Sequence, residues 1–103
     1  MPQIIYSEQA NRDIVRLAEF VQEIEPSLKQ RVISAIFDGI EILQKFPRIA
    51  KPSQDEKYKR MREIFIAFGG AGYVVLYEYH EENNTVLINS IRHTREAGYG
   101  NNS

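Results

Sequence analysis

Through the first half of the chain apolar residues recur at spacings of three and four, and in the second half the period drops to two. In "SEQANRDIVRLAEFVQEI", Ala10, Ile14, Leu17, Ala18, Val21 and Ile24 fall on one stripe of an amphipathic helix. Ser7 stands where a hydroxyl can cap it. "EPSLKQRVISAIFDGIEILQKFP" repeats the period with Leu28, Val32, Ala35, Ile36, Gly39, Leu43 and Phe46. Pro26 suits the first turn of this second helix, and Phe46-Pro47 its stop. With only Glu25-Pro26 between them, the two helices read as an antiparallel hairpin. Ile33, Phe37, Ile40 and Ile42 widen the apolar face of the second helix, so it is expected to touch both the first helix and a sheet.

"PRIAKPSQDEK" then breaks the pattern with two prolines and a polar run, and reads as a loop. Three strand-like runs follow: Tyr58 to Phe68, Tyr73 to Tyr79 and Thr85 to Ile91, rich in β-branched and aromatic residues. The breakers "GGAG" and "EENN" are short, which implies an antiparallel meander. "IIY" at Ile4 to Tyr6 is a further short strand available to the same sheet. The predicted architecture is α+β: an N-terminal short strand and an antiparallel two-helix hairpin packed on a mostly antiparallel sheet, completed by a three-stranded C-terminal meander. Residues 1–99 are expected to form one domain, with 100–103 a disordered tail.

Composition narrows the function classes. The 103 residues contain no cysteine, which excludes a disulfide framework, a thiolate metal site and a cysteine nucleophile. Thirteen Lys+Arg against 14 Asp+Glu leave a formal charge of -1, a poor balance for a protein that binds by neutralising many phosphates. No apolar run approaches a membrane span and the N-terminus lacks signal-peptide features, so a cytoplasmic protein with no membrane partner is expected. No metal-spaced His and carboxylate set and no phosphate-binding glycine loop occurs, so neither a metal nor another cofactor is expected.

Three stretches carry candidate chemistry. "KYKRMR" packs Lys57, Lys59, Arg60 and Arg62 into the start of a predicted strand. Alternation would put Lys57 and Lys59 on one face and Arg60 and Arg62 on the other. This is either a solvated strand entrance or a basic surface for phosphates or an acidic partner. Tyr73, Tyr77 and Tyr79 share one face of the next strand, where helix packing is favoured over base stacking. "IRHTREAGY" is the densest cluster. There His93 can act as a general acid or base, Arg92 or Arg95 can hold a phosphate, and Tyr99 can stack or donate its proton.

With these stretches in their order, the chain resembles the RelE/ParE superfamily of bacterial type II toxins. The resemblance runs through Asp13-Ile14 and Leu17 to Phe20, the Arg31 to Pro47 helix and its Phe-Pro stop, "GYVVLYEY" and "IRHTREAGY". It implies a toxin held inactive by a cognate antitoxin, which in turn binds the operator, so that operator DNA is contacted only indirectly. By position, Tyr99 matches the terminal tyrosine of the RelE-type nucleases, His93 their preceding Arg or His, and Lys57 and Lys59 their basic pair. Where those nucleases place an arginine, at the end of the first meander strand, this chain reads "IAFGGAG".

That departure and the low charge favour a ParE-type toxin that inhibits DNA gyrase and blocks replication without catalytic residues of its own. The expected toxic surface comprises Arg92, His93, Arg95 and Tyr99 with Lys57, Lys59, Arg60 and Arg62. The alternatives are a RelE-type ribosome-dependent mRNA endonuclease using His93, Arg95 and Tyr99, and a nontoxic member acting with its antitoxin in autoregulation. Antitoxin binding is expected at a sheet edge and on the wide face of the second helix, at Ile33, Phe37 and Ile40.

Overall fold

The structure, a computed structural model, describes residues 1–99; the predicted tail at 100–103 lies outside the described residues. Strand β1 (Gln3–Tyr6) leads into helix α1 (Glu8–Ile24). A short helical turn at Pro26–Leu28 leads into α2 (Lys29–Glu41), which is extended by another turn at Ile42–Gln44. Four strands follow: β2 (Lys51–Pro52), β3 (Arg62–Phe68), β4 (Ala71–His80) and β5 (Thr85–His93). They form one five-stranded sheet in the order β1-β5-β4-β3-β2, with β1 parallel to β5 and every other pair antiparallel. This is the predicted α+β architecture, and the N-terminal strand does join the meander.

The helical hairpin covers one face of the sheet. Ala10, Ile14 and Leu17 from α1 and Val32, Ile36 and Ile40 from α2 meet Ile66, Tyr73, Val75, Tyr77, Val86, Ile88 and Ile91 from the strands. The tyrosine-bearing face of β4 is thus core, as its spacing suggested. Gly39 marks the closest approach of α2 to β3, because a Cβ there would stand 2.6 Å from Ile66 side-chain carbons. The hairpin's ends run past the sheet: Ile24 and Phe46, expected on the apolar stripes, are 68% and 53% exposed.

Several boundaries differ from the sequence reading. The first meander strand starts at Arg62, not Tyr58, because the Asp55 carboxylate accepts from Lys57 N at 2.9 Å and caps a helical turn at Glu56–Tyr58. The alternation argument for Lys57, Lys59 and Arg60 therefore does not apply. Within the predicted loop, Lys51 and Pro52 pair with Glu63 and Arg62. The turn before β4 is Gly69-Gly70, with Gly69 at φ 61, a left-handed backbone that glycine adopts without strain. Ile40 is wholly buried in the core, so it cannot line a surface groove as expected.

The last strand runs two residues past Ile91, to His93, though β1 ends opposite Ile88. Beyond that point side chains replace a neighbouring strand. Ser7, whose oxygen accepts the α1 cap bond from Ala10 N, donates its hydroxyl to Asn89 O at 2.7 Å. Asp13 accepts from Ile91 N at 2.8 Å, Arg16 donates to Ile91 O at 3.2 Å, and Glu96 accepts from His93 N at 2.8 Å. Asp13 is fully buried, and its other oxygen takes hydrogen bonds from Gln9 at 2.8 Å and Arg16 at 3.2 Å. A buried carboxylate is tolerated here because donors surround it.

Two outcomes test this packing. Asp13→Ala is expected to lower unfolding free energy by about 3 kcal/mol, since it orphans a buried amide and removes charge-assisted bonds. Urea denaturation reads it, and a loss below about 0.5 kcal/mol, the range of an ordinary surface change, would contradict the role. Gly39→Ala should destabilise by roughly 1–3 kcal/mol through overpacking, although alanine is the better helix former by about 1 kcal/mol.

Candidate functional site

The sheet face away from the helices carries Glu63, Phe65 and Ala67 on β3, Gly72, Val74, Leu76 and Glu78 on β4, and Ser90 and Arg92 on β5, as the register dictates. The segment after β5 folds back across this open face. Thr94 N donates to Gly72 O at 3.0 Å, and Arg92 Nη1 donates to Glu96 O at 3.3 Å. Tyr99, at its end, is 5% exposed and donates its hydroxyl to the Glu63 carboxylate. The Arg92 guanidinium lies 5.2 Å from the Tyr99 ring centroid. Tyr58 meets the same ring edge-on at 5.5 Å, and Lys57 Nζ lies 5.5 Å from the Tyr58 ring.

Burial pushes the Tyr99 phenol far above its ordinary pKa of 10.0; the hydrogen bond to Glu63 and its negative charge add to the rise, and Arg92 opposes it. The hydroxyl is therefore a fixed donor to a carboxylate and a poor source of a transferable proton. Arg92 is similarly committed, with its Nη1 on His93 O and Glu96 O at 3.3 Å and its Nε buried without a partner.

His93 lies on the other side of the sheet. It packs edge-on against Tyr73, with ring centroids 5.4 Å apart, and its Nδ1 accepts from Arg95 N at 3.1 Å, which puts the neutral ring's proton on Nε2. His93, Arg95 and Glu96 close one end of a groove of about 660 Å³ whose walls are Phe20, Val21 and Ile24 of α1 with Phe68 and Tyr73. Glu96 is already bonded to Arg16 and to His93 N. Arg16 is shared between Glu96 and Asp13.

The predicted residues thus divide. Arg92, Tyr99 and Lys57 come together on or beside the open face; His93 and Arg95 face the groove. The expectation of His93 and Tyr99 as one proton-transfer pair is corrected by strand alternation, which sends Arg92 and His93 to opposite faces. Tyr99 is also buried and not a surface residue. Arg62 points to the helix side and donates to Ala50 O at 2.6 Å, bracing the loop before β2. Lys59 lies 3.8 Å from Glu56, and Arg60 is exposed. Of the proposed antitoxin face on α2, Ile33 is half-buried and Phe37, 40% exposed, packs edge-on to Tyr6 at 5.4 Å.

Sequence reasoning missed Glu63 and Tyr58, both adjoining or inside "KYKRMR", where only the cations were weighed. It also missed Asp13, whose signal was a carboxylate on the apolar stripe between Ala10 and Leu17. Among the described residues no group of three or more His, Asp or Glu side chains is arranged to hold a metal ion. No helix among them is long and apolar enough to cross a membrane.

Comparison with known proteins gives consistent matches. The family model described as ParE toxin of type II toxin-antitoxin system, parDE, matches residues 4–98. Toxin RelE3 of Caulobacter vibrioides is 29% identical over 96 residues, covering 93% of this chain and 98% of the relative. The fold resembles a chain of the toxin-antitoxin complex RelBE2 from Mycobacterium tuberculosis, with TM-score 0.64, 23% identity and coverage of 92% of this chain and 93% of the other. It also resembles a chain of the intact E. coli RelBE toxin-antitoxin complex, with TM-score 0.56, 18% identity and coverage of 93% and 100%.

The buried phenols set an alkaline limit. Tyr99, Tyr73 and Tyr77 are raised above 10.0, and Tyr6 is pushed up to about 12, chiefly by burial. The unfolded chain releases these protons near pH 10 while the folded chain keeps them. Their contribution is therefore complete below that pH and is lost as pH rises toward the folded values. Thermal melts should show stability falling above pH 10, and Tyr99→Phe should fall less steeply, by about 1.4 kcal/mol per pH unit. Identical slopes would mean that Tyr99 is not held as described.

Proposed function

Because the chain belongs to the ParE toxin family of type II toxin-antitoxin systems, we propose that it arrests growth by inhibiting DNA gyrase and that a cognate antitoxin neutralises it. The observation that carries the choice of target is the Tyr99–Glu63 bond on the open face. Cutting RNA there would require positive charge around the phosphate's nonbridging oxygens and a phenol able to give up its proton. The face instead presents a carboxylate with the phenol locked to it, an exposed Phe65, and, in the "IAFGGAG" stretch where the resemblance expects an arginine, only Ala67 and Gly72. The formal charge of -1 points the same way, since docking on ribosomal RNA calls for many neutralised phosphates.

On this reading the toxic surface is the open-face rim, with Arg92 stacked on Tyr99 and Lys57, Lys59 and Arg60 on the adjoining turn, and it works by contact without chemistry. A gyrase target places its action in the cytoplasm. The structural relatives were solved as toxin-antitoxin complexes, which supports an antitoxin partner here. Operator DNA would be reached only through that antitoxin. From Ile64 to Phe68 the outer edge of β3 pairs with no strand among the described residues, and its apolar run without Lys or Pro suits an added antitoxin strand. Ile33 and Phe37 offer a second contact.

The name of the relative Toxin RelE3 favours a second reading, a RelE-type ribosome-dependent endonuclease, for which the Arg92–Tyr99 stack would be the remnant site. Purified chain added in excess to gyrase and relaxed plasmid is expected to block supercoiling and accumulate cleaved DNA. Unchanged supercoiling, together with mRNA cuts that disappear in Tyr99→Phe, would replace the gyrase reading with the nuclease one.

A further inference from the structure

From Asn89 to His93 the outer edge of β5 is taken up by side chains, but the outer edge of β1 is not. Parallel pairing fixes which of its groups remain. Gln3 N donates to Asn84 O at 3.1 Å and Ser7 N to Ile88 O at 3.0 Å, so Gln3, Ile5 and Ser7 turn their main-chain groups toward β5. Ile4 and Tyr6 turn theirs outward, and among the described residues no hydrogen bond reaches them. The side chains alternate the other way. Ile4 and Tyr6 pack against the core, with Phe37 of α2, 40% exposed, edge-on to Tyr6 at 5.4 Å, while Ile5 stands on the open face at 42% exposure. No Lys, Asp, Glu or Pro lies within Gln3–Tyr6, so this edge carries none of the side chains that commonly keep two edges apart.

The brevity of the edge selects its occupant. The outward groups of Ile4 and Tyr6 offer too few hydrogen bonds to order a flexible peptide against its conformational entropy. A strand that is already rigid loses little on pairing. β1 is itself such a strand, held by β5 along one side and by the Ser7 cap of α1 at its end. Its outward groups also match their own copies. Antiparallel pairing about Ile5 sets Ile4 opposite Tyr6 of a second copy and Tyr6 opposite Ile4, so that each pair exchanges N–H and C=O, and it brings the two Ile5 side chains together. Such a contact is isologous and closes on itself.

We infer that β1 is a self-association edge, at which two copies of this chain pair β1 with β1 antiparallel about Ile5 and join their sheets into one. The Phe37–Tyr6 pairs of the two copies flank the join on the helix side, and both open faces lie on the same side of the joined sheet. The contact is small, so the dimer forms in proportion to concentration. The inference does not depend on which target the toxin has, and it leaves the β3 edges free at the two far ends.

Because the chain has no cysteine, a single introduced thiol reports the register. Across a non-hydrogen-bonded antiparallel pair the Cα atoms stand about 4.5 Å apart, within disulfide reach. Under mild oxidation Ile5→Cys is expected to form a covalent dimer at least about tenfold faster than Val15→Cys, since pairing raises the local thiol concentration. Val15, on α1, is the more exposed of the two at 55%. In sedimentation the unaltered full chain should shift toward a dimer as its concentration rises. Ile5→Glu and Ile5→Lys should each remain monomeric and dimerise when mixed, with circular dichroism unchanged because the side chain is largely exposed. A monomer at every soluble concentration, or equal cross-linking of Ile5→Cys and Val15→Cys, would overturn the inference. A dimer that survives Ile5→Glu and is lost in Phe65→Glu would move self-association to the β3 side and overturn it. So would a monomer whose binding to the antitoxin encoded in the same operon is weakened by Ile5→Glu, because the edge would then belong to that partner.

Discussion

Between Asn89 and His93 the last strand has a neighbour on one side only, and the fold depends on how its other edge is satisfied. Backbone amides and carbonyls cannot be left dry without cost. Ser7, Asp13 and Arg16 of the first helix region and Glu96 of the returning chain take those groups one after another. A single set of hydrogen bonds thus caps α1, fixes the helix against the sheet, prolongs β5 and seals an edge that would otherwise invite another strand. The short parallel strand β1 does the same job for the first half of β5 by ordinary pairing.

Prolonging β5 to His93 has a direct consequence for chemistry. Neighbouring residues on a strand face opposite ways, so Arg92 joins Tyr99 on the open face and His93 joins Tyr73 at the groove. Had the strand stopped at Ile91, alternation would not have separated these side chains. What the open face gathers instead is a row running from Lys57 through Tyr58 and Tyr99 to Arg92, with the Glu63 carboxylate held by the Tyr99 hydroxyl. Aromatic rings and paired charges of this kind suit contact with a protein better than transfer of a phosphoryl bond.

The two faces therefore have different work in the proposed toxin. On the proposed reading the open face is the side turned toward a target, and the Glu63 carboxylate held there by Tyr99 sets it apart from the basic concavity that resemblance to the nuclease branch would imply. The helix side holds the core and, where the hairpin outruns the sheet, leaves Phe20 and Ile24 in solvent. Leaving apolar side chains exposed in a chain of this size is costly for solubility.

Much of the fold was legible in the sequence because periodicity reports burial directly. The two helices, the Ser7 cap, the meander and the inward-facing tyrosines of β4 all follow from spacings of three, four and two. The residues of the candidate site were legible too, down to Arg92, His93 and Tyr99, but not their grouping. Tyr58 became a turn residue because an aspartate three positions earlier capped it, and Ile40 went to the core because the face of α2 that looked too wide is covered by the sheet. Glu63 and Tyr99 are 36 positions apart, and no local pattern reports that a phenol and a carboxylate so distant will meet. The sequence by itself determined the two helices, the meander and most of the side chains that fill the core between them. Tertiary structure alone decided which charges neutralise one another, because that depends on where β5 ends and on which face the returning chain crosses.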